Sequence, residues 1–308
     1  MKGSNVRQIV MPLTAAFIWG SAFVAQSLGA EVMGAFTFSA IRMTIAIVIM
    51  LALLPLLHKF APKAEYPDKK KYRRDLFMGG LVCGFSLCAA CNLQQFGMAD
   101  TDAGKAGFIT ALYVLLVPVV GIFMGKKLTR RVGICVILAV AGLYCICFEF
   151  NKPPVFTGGD FFVFLCTFGF TAQVLAVDHF VKKVDGIELS IAQFVGATFF
   201  SYIGMFIFDE PTVSQIVHSL PYLLYVGIFS GAVAYTLQIL AQREGDPTKV
   251  SILLSLESLF AVICGAILLH ERMTMQEYLG CALMMVAVIF SQIPEKEPAA
   301  KVEEPNAD

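Results

Sequence analysis

Two charged side chains stand deep inside apolar runs of this chain, where charge is rare enough to imply a purpose. Arg42 lies in the run from 33 to 57 and Glu257 in the run from 250 to 269. At 1.5 Å per helical residue, they sit about 13 and 11 Å in from opposite sides, so both approach the middle of a hydrocarbon layer about 30 Å thick. Ionisable groups at such depth are costly and face a cavity or a partner. In one reading both line a single cavity, with Arg42 holding a carboxylate or other anionic group and Glu257 either holding an amine or capping Arg42. In the other they form a structural ion pair or a helix-packing contact.

Neutral polar groups recur in the same surroundings at helical spacing. Asn92 and Gln95 share one helix face, and Tyr235, Gln238 and Gln242 share another. Unpaired amides in hydrocarbon are unfavourable, so these stripes face either a wet cavity or another helix. Gln173 and Tyr113 are isolated polar groups in further apolar runs. Trp19, the single tryptophan, stands in mid-run rather than at an interfacial belt, which suits stacking or gating as well as packing. The candidate solute-binding set is therefore Trp19, Arg42, Asn92, Gln95, Tyr113, Gln173, Tyr235, Gln238 and Glu257.

The elements that position these residues are set by composition. Of 308 residues, 57% are apolar and 15% charged, and mean hydropathy is +0.74. That leaves too little polar surface to cover a soluble globule, so the chain is expected to be an all-α membrane protein. Ten bilayer-length spans are predicted, at 9–28, 33–57, 75–99, 105–125, 132–149, 160–181, 189–208, 220–242, 250–269 and 275–293. The first is read as a retained helix rather than a signal peptide. The nine cysteines lie in apolar runs and read as buried free thiols. Cys88 and Cys91 have the spacing of half a metal or redox site but lack a second half. No disulfide, metal or cofactor is assigned.

The spans are written twice. Leu93, Gln94, Asp102, Lys105 and Gly121 precede Leu237, Gln238, Asp246, Lys249 and Gly265 by 144 positions, and Gly80 and Gly84 precede Gly227 and Gly231 by 147. Repetition at half the length predicts two similar bundles packed together, 9–150 and 160–293, with a disordered cytoplasmic tail at 294–308. With the N-terminus cytoplasmic, nineteen of the twenty-three lysines and arginines fall on the inner side, which places both termini in the cytoplasm. Five spans per half then forces opposite orientations, an inverted-topology repeat with its site near the midplane. The glycine pairs Gly80 and Gly84, Gly121 and Gly125, and Gly227 and Gly231 are expected to let helices approach closely, the first and third as the same contact inside each half.

Ten spans as five plus five, together with Trp19-Gly20-Ser21-x-Phe23, Ala40-Ile41-Arg42 and Pro118 with Gly125-Lys126-Lys127-Leu128-Thr129, resemble the drug/metabolite transporter superfamily and its EamA-like members. Leu256-Glu257-Ser258-Leu259-Phe260, His270-Glu271-Arg272-Met273-Thr274 and Gly280 carry the likeness in the second half. The chain departs from the family pattern at Ser258, where proline often follows the glutamate, at His270, where glycine often precedes it, and at Lys126-Lys127, where an acidic residue is common. The resemblance implies a secondary transporter in a bacterial-type inner (plasma) membrane, moving a small metabolite such as an amino acid, more often outward, by alternating access. Its partners would be a small-molecule solute and the lipid bilayer, with protons as a candidate coupling ion and no nucleic acid, in a monomer or homodimer. A lipid-translocating or structural role is the alternative. An enzyme is not expected, because His58, His179, His218 and His270 are scattered at span ends and no nucleophile elbow or phosphate loop occurs.

Overall fold

A computed structural model describes residues 2–60, 66–101, 103–125, 129–147, 157–268 and 274–292. The motif positions 126–128 and 270–273, the link at 151–156 and the tail at 294–308 lie outside the described residues.

Apolar runs without interruption become helices, since only a helix satisfies its own backbone polar groups in hydrocarbon. Helices α1 (Lys2–Ala30), α2 (Ala35–Phe60) and α3 (Lys69–Gly97) are followed by a broken pair, α4 (Ala103–Ala111) and α5 (Tyr113–Phe123), and by α6 (Arg130–Cys147). The second half opens with α7 (Gly158–Phe180), α8 (Gly186–Phe208) and the short α9 (Val213–His218). Next, α10 (Leu220–Tyr225) runs through a π-helical segment (Val226–Tyr235) into α11 (Thr236–Glu244). A second broken pair, α12 (Pro247–Leu254) and α13 (Leu256–Leu268), precedes α14 (Met275–Gln292). Aspartates and threonines start these helices by accepting free backbone N–H groups. Asp68 caps α3, Asp185 caps α8, Asp246 caps α12 ahead of Pro247, and Thr157 with Asp160 forms a capping box on α7.

Among the described residues eight stretches are long and apolar enough to cross a membrane, with each broken pair, and α10 through α11, counting as one. Their outer faces carry side chains such as Phe17, Phe77, Phe85, Phe199 and Phe206, all more than half exposed. This is a multi-pass, all-helical membrane protein. The two other expected spans coincide with α6 and α14, each of 18 residues.

The halves do not stand side by side as two bundles. α1 lies along α13, α2 along α8 and the π-helical segment, α3 between α7 and α8, and α6 against α14. Each of these contacts joins a helix before residue 150 to one after it, so the two copies interlock. The glycine pairs serve this interlocking rather than a contact inside each half. A Cβ at Gly84 would meet the Gln193 carbonyl and the Ala197 nitrogen of α8 at 2.8 Å, and one at Gly227 would meet the Arg42 carbonyl of α2 at 2.8 Å. Gly125, by contrast, turns the chain after α5 with a φ of +83°, and a Cβ there would meet nothing within 4 Å among the described residues.

Candidate functional site

The two helix breaks shape the site. Near Leu112 the backbone tightens to three-residue hydrogen bonds, from Leu112 N to Ile109 O and from Leu115 N to Leu112 O, and near Ser255 one runs from Ser258 N to Ser255 O. These breaks occupy equivalent places in the two repeats, and the residues just beyond them, Tyr113 and Glu257, are 144 positions apart. Both reach the same interior cavity. The crossing of α1 over α13 brings in Trp19, because a Cβ on neighbouring Gly20 would lie 2.5 Å from the Glu257 carbonyl oxygen. Only glycine allows the backbones so close.

The cavity collects seven of the nine expected residues, Trp19, Arg42, Tyr113, Gln173, Tyr235, Gln238 and Glu257. Its lining is largely paired by the repeat. Gln94 and Gln238 are 144 apart, while Phe23 and Phe170, and Gln26 and Gln173, are 147 apart as a repeated Phe-x-Ala-Gln. Phe23, Gln26, Gln94 and Phe170 are not in the candidate set; the repeat offsets lead to Gln26 from Gln173 and to Gln94 from Gln238, whereas Phe23 and Phe170 pair only with each other.

Asn92 and Gln95 are not in the lining. Asn92 donates to the Cys88 carbonyl at 2.8 Å and to Ser201 Oγ at 3.1 Å, and Gln95 donates to the Gln26 carbonyl at 2.9 Å. Both are helix-packing contacts. Gln94, one residue from Gln95 and so about 100° around the helix, takes the cavity position instead and donates to Thr110 Oγ1 at 3.0 Å. Gln242 likewise donates away from the cavity, to the Val174 carbonyl at 2.9 Å.

The charged pair does not pair. Arg42 Nη1 donates to Gln26 Oε1 at 2.9 Å and its guanidinium lies 5.7 Å from the Phe38 ring centre, while no ion pair joins it to Glu257 among the described residues. Of the two roles considered for Glu257, capping Arg42 is not seen, since Gln26 takes that place; holding an amine is left open. Arg42 Nη2, Tyr113 Oη, Gln238 Oε1 and Glu257 Oε1 are buried without a hydrogen-bond partner. Seven further buried side-chain atoms among the described residues are also unpaired, Asn92 Oδ1, Gln95 Oε1 and Gln242 Oε1 among them, but these four converge on one cavity and leave it with open donors and acceptors. Gln238 and Gln173 are otherwise held in a relay, Gln238 donating to Gln173 at 3.2 Å and Gln173 to Gln193 at 3.0 Å.

Aromatic rings close the walls. Trp19 and Tyr235 lie 4.8 Å apart, and Trp19 Nε1 donates to the Ser230 carbonyl at 3.3 Å. Ser230 and Tyr235 both belong to the π-helical segment, whose wider turn is common at functional sites. Nothing in the sequence pattern signals that segment. The space is about 30 Å³, room for roughly two waters. A solute needs the surrounding helices to part.

Comparison with known proteins fits this architecture. A transporter of Archaeoglobus fulgidus with no assigned solute is 26% identical over 89% of this chain and 82% of its own. A WAT1-related chloroplastic protein of Arabidopsis thaliana is 25% identical over 91% of this chain and 68% of its own. A solved crystal structure superposes with a TM-score of 0.72 over 92% of this chain and 96% of that one, at 16% identity, a likeness of fold. The model of the EamA-like transporter family matches twice, at residues 7–148 and 157–292, together nearly the whole length. With a repeated helical unit, membrane-length spans and a match across both copies, the chain belongs to the EamA-like transporter family.

Proposed function

We propose that the protein is a secondary transporter that moves a small organic metabolite carrying both an anionic and a hydrogen-bond-donating or cationic group, such as an amino acid or a related compound. The observation that carries this reading is the set of four unpaired buried atoms on one cavity. The Arg42 guanidinium offers a free N–H for a carboxylate, and the Glu257 carboxyl offers a free oxygen for an ammonium group. Gln238 and Tyr113 supply further partners beside them. Trp19, Phe23, Phe170 and Tyr235 give an apolar wall for the solute's side chain.

In this reading ten spans form two five-helix halves, 9–150 and 160–293, inserted with opposite orientation and with both termini in the cytoplasm, in the inner (plasma) membrane. The midplane site between interlocked halves suits alternating access. Efflux is the proposed direction. Proton coupling rests on Glu257, whose carboxyl lacks a cation partner and is free to exchange a proton for the solute's amine.

Counterflow of radiolabelled amino acids in vesicles of the purified protein tests the proposal, with wild type beside Arg42→Ala. Saturable exchange that is lost in the variant and inhibited by the free amino acid, but not by its methyl ester, is the expected result. Exchange that persists in Arg42→Ala, or that treats acid and ester alike, removes Arg42 as the anion-binding group. Movement of labelled lipid without saturable solute exchange selects the lipid-translocating alternative.

A further inference from the structure

A second cavity, of about 600 Å³ against about 30 Å³ for the central one, opens where α2 and α11 diverge. α2 follows the π-helical segment but leaves the α11 helix that continues it. Ile49, Leu53 and Leu57 on α2 face Ala232, Leu237 and Leu240 across the wedge. Its floor holds Met50 and Ile187, each 1% exposed. Arg7, Arg243 and Glu244 stand at the mouth, beside the start of α1 and the ends of α2 and α11.

The wedge makes the opposite chemical demand to the central cavity. Among the described residues none of the buried unpaired polar atoms belongs to its lining, and its Thr236 hydroxyl is satisfied by the Ala232 carbonyl at 2.7 Å. A polar solute finds nothing to bind along it, and water filling so large an apolar space forfeits hydrogen bonds. A hydrocarbon chain needs none. At the mouth two arginines outnumber one glutamate, and neither arginine has an ion-pair partner within 4.0 Å among the described residues. Guanidinium groups are suited to phosphate through paired N–H donors, and basic pockets between membrane helices hold anionic head groups. We infer that the wedge is a binding site for one anionic phospholipid, its acyl chain between α2 and α11 and its phosphate at Arg7 and Arg243.

The site borders the transport machinery without being part of it. Ala232 and Thr236 line the wedge while Ser230 and Tyr235, on the same stretch of chain, line the central cavity. A lipid seated there props α2 away from α11 and so bears on the helix that carries Tyr235.

Native mass spectrometry of the full chain in detergent, titrated separately with phosphatidylglycerol and phosphatidylcholine, tests the assignment. One retained phosphatidylglycerol per chain is expected, with weaker retention of phosphatidylcholine. The double variant Arg7→Gln/Arg243→Gln is expected to bind phosphatidylglycerol roughly tenfold or more weakly, with an unchanged melting temperature in detergent alone. Leu53→Trp, at a partly exposed position on the wall, obstructs the acyl chain and lowers retention of both lipids. Equal retention of the two lipids by wild type, or an unaltered phosphatidylglycerol affinity in both variants, overturns the inference. So does loss of solute exchange in Leu53→Trp with lipid retention intact, which makes the wedge a solute path.

Discussion

Replacing Glu257 by methionine separates a binding carboxylate from a packing residue, because the two roles predict opposite signs for stability. Glu257 is 4% exposed, its Oε1 lacks any partner, and no cation neutralises it within 4.0 Å among the described residues. Leaving one buried polar atom unsatisfied costs about 1–3 kcal/mol. Methionine has similar length and no such atom, so Glu257→Met recovers about that amount. Unfolding entropy scales at about 2 cal/mol/K per residue, so for 308 residues the melting temperature rises by about 2–5 °C. Arg42→Ala is the contrast. It loses the 2.9 Å hydrogen bond to Gln26 and the ring contact with Phe38 and leaves a void, which outweighs the relief of its unpaired Nη2 and leaves a net cost of about 1–3 kcal/mol. Both variants lose solute exchange. The assay is thermal unfolding of purified protein in detergent beside counterflow in vesicles. Destabilisation by Glu257→Met comparable to that of Arg42→Ala, or saturable exchange surviving in it, refutes the binding role.

Asn92→Ala, which removes hydrogen bonds to Cys88 and Ser201 outside the cavity, is expected to lower stability by about 1 kcal/mol and leave the solute KM unchanged; a raised KM without loss of stability contradicts the lining. Gly84→Ala forces a Cβ to within 2.8 Å of the α8 backbone and is expected to cost about 1–3 kcal/mol in thermal unfolding. An unchanged melting temperature there means that α3 and α8 are not in that contact. Lys105→Ala strips the buried Asp160 of the cation that joins α4 to α7, with an expected loss of about 3 kcal/mol or more. Asp160→Asn in the Lys105→Ala background restores part of it, and the absence of any such rescue argues against the pair.

Much of this protein is legible in its sequence because the bilayer is a strict solvent. Uninterrupted apolar runs can only be helices there, and a charge such as Arg42 or Glu257 at mid-run must have a reason. The repeat reaches into the cavity as well, since the offsets relating Gly80 to Gly227 and Gln94 to Gln238 also relate Phe23 to Phe170 and Tyr113 to Glu257. Side-chain direction, by contrast, comes from how the helices pack. Within α3 the sequence offers Asn92, Gln94 and Gln95 as equally polar candidates, and helix rotation alone sends Gln94 to the cavity and the other two to neighbouring helices. Helix breaks at Leu112 and Ser255, and the π-helical segment at Val226–Tyr235, arise within apolar runs whose hydropathy does not mark them. The interlocking of the halves is likewise invisible to a one-dimensional pattern. Glycine spacing shows that some backbone approaches closely, but the partner, α8 for Gly84 and α2 for Gly227, is chosen by the shape of the whole bundle.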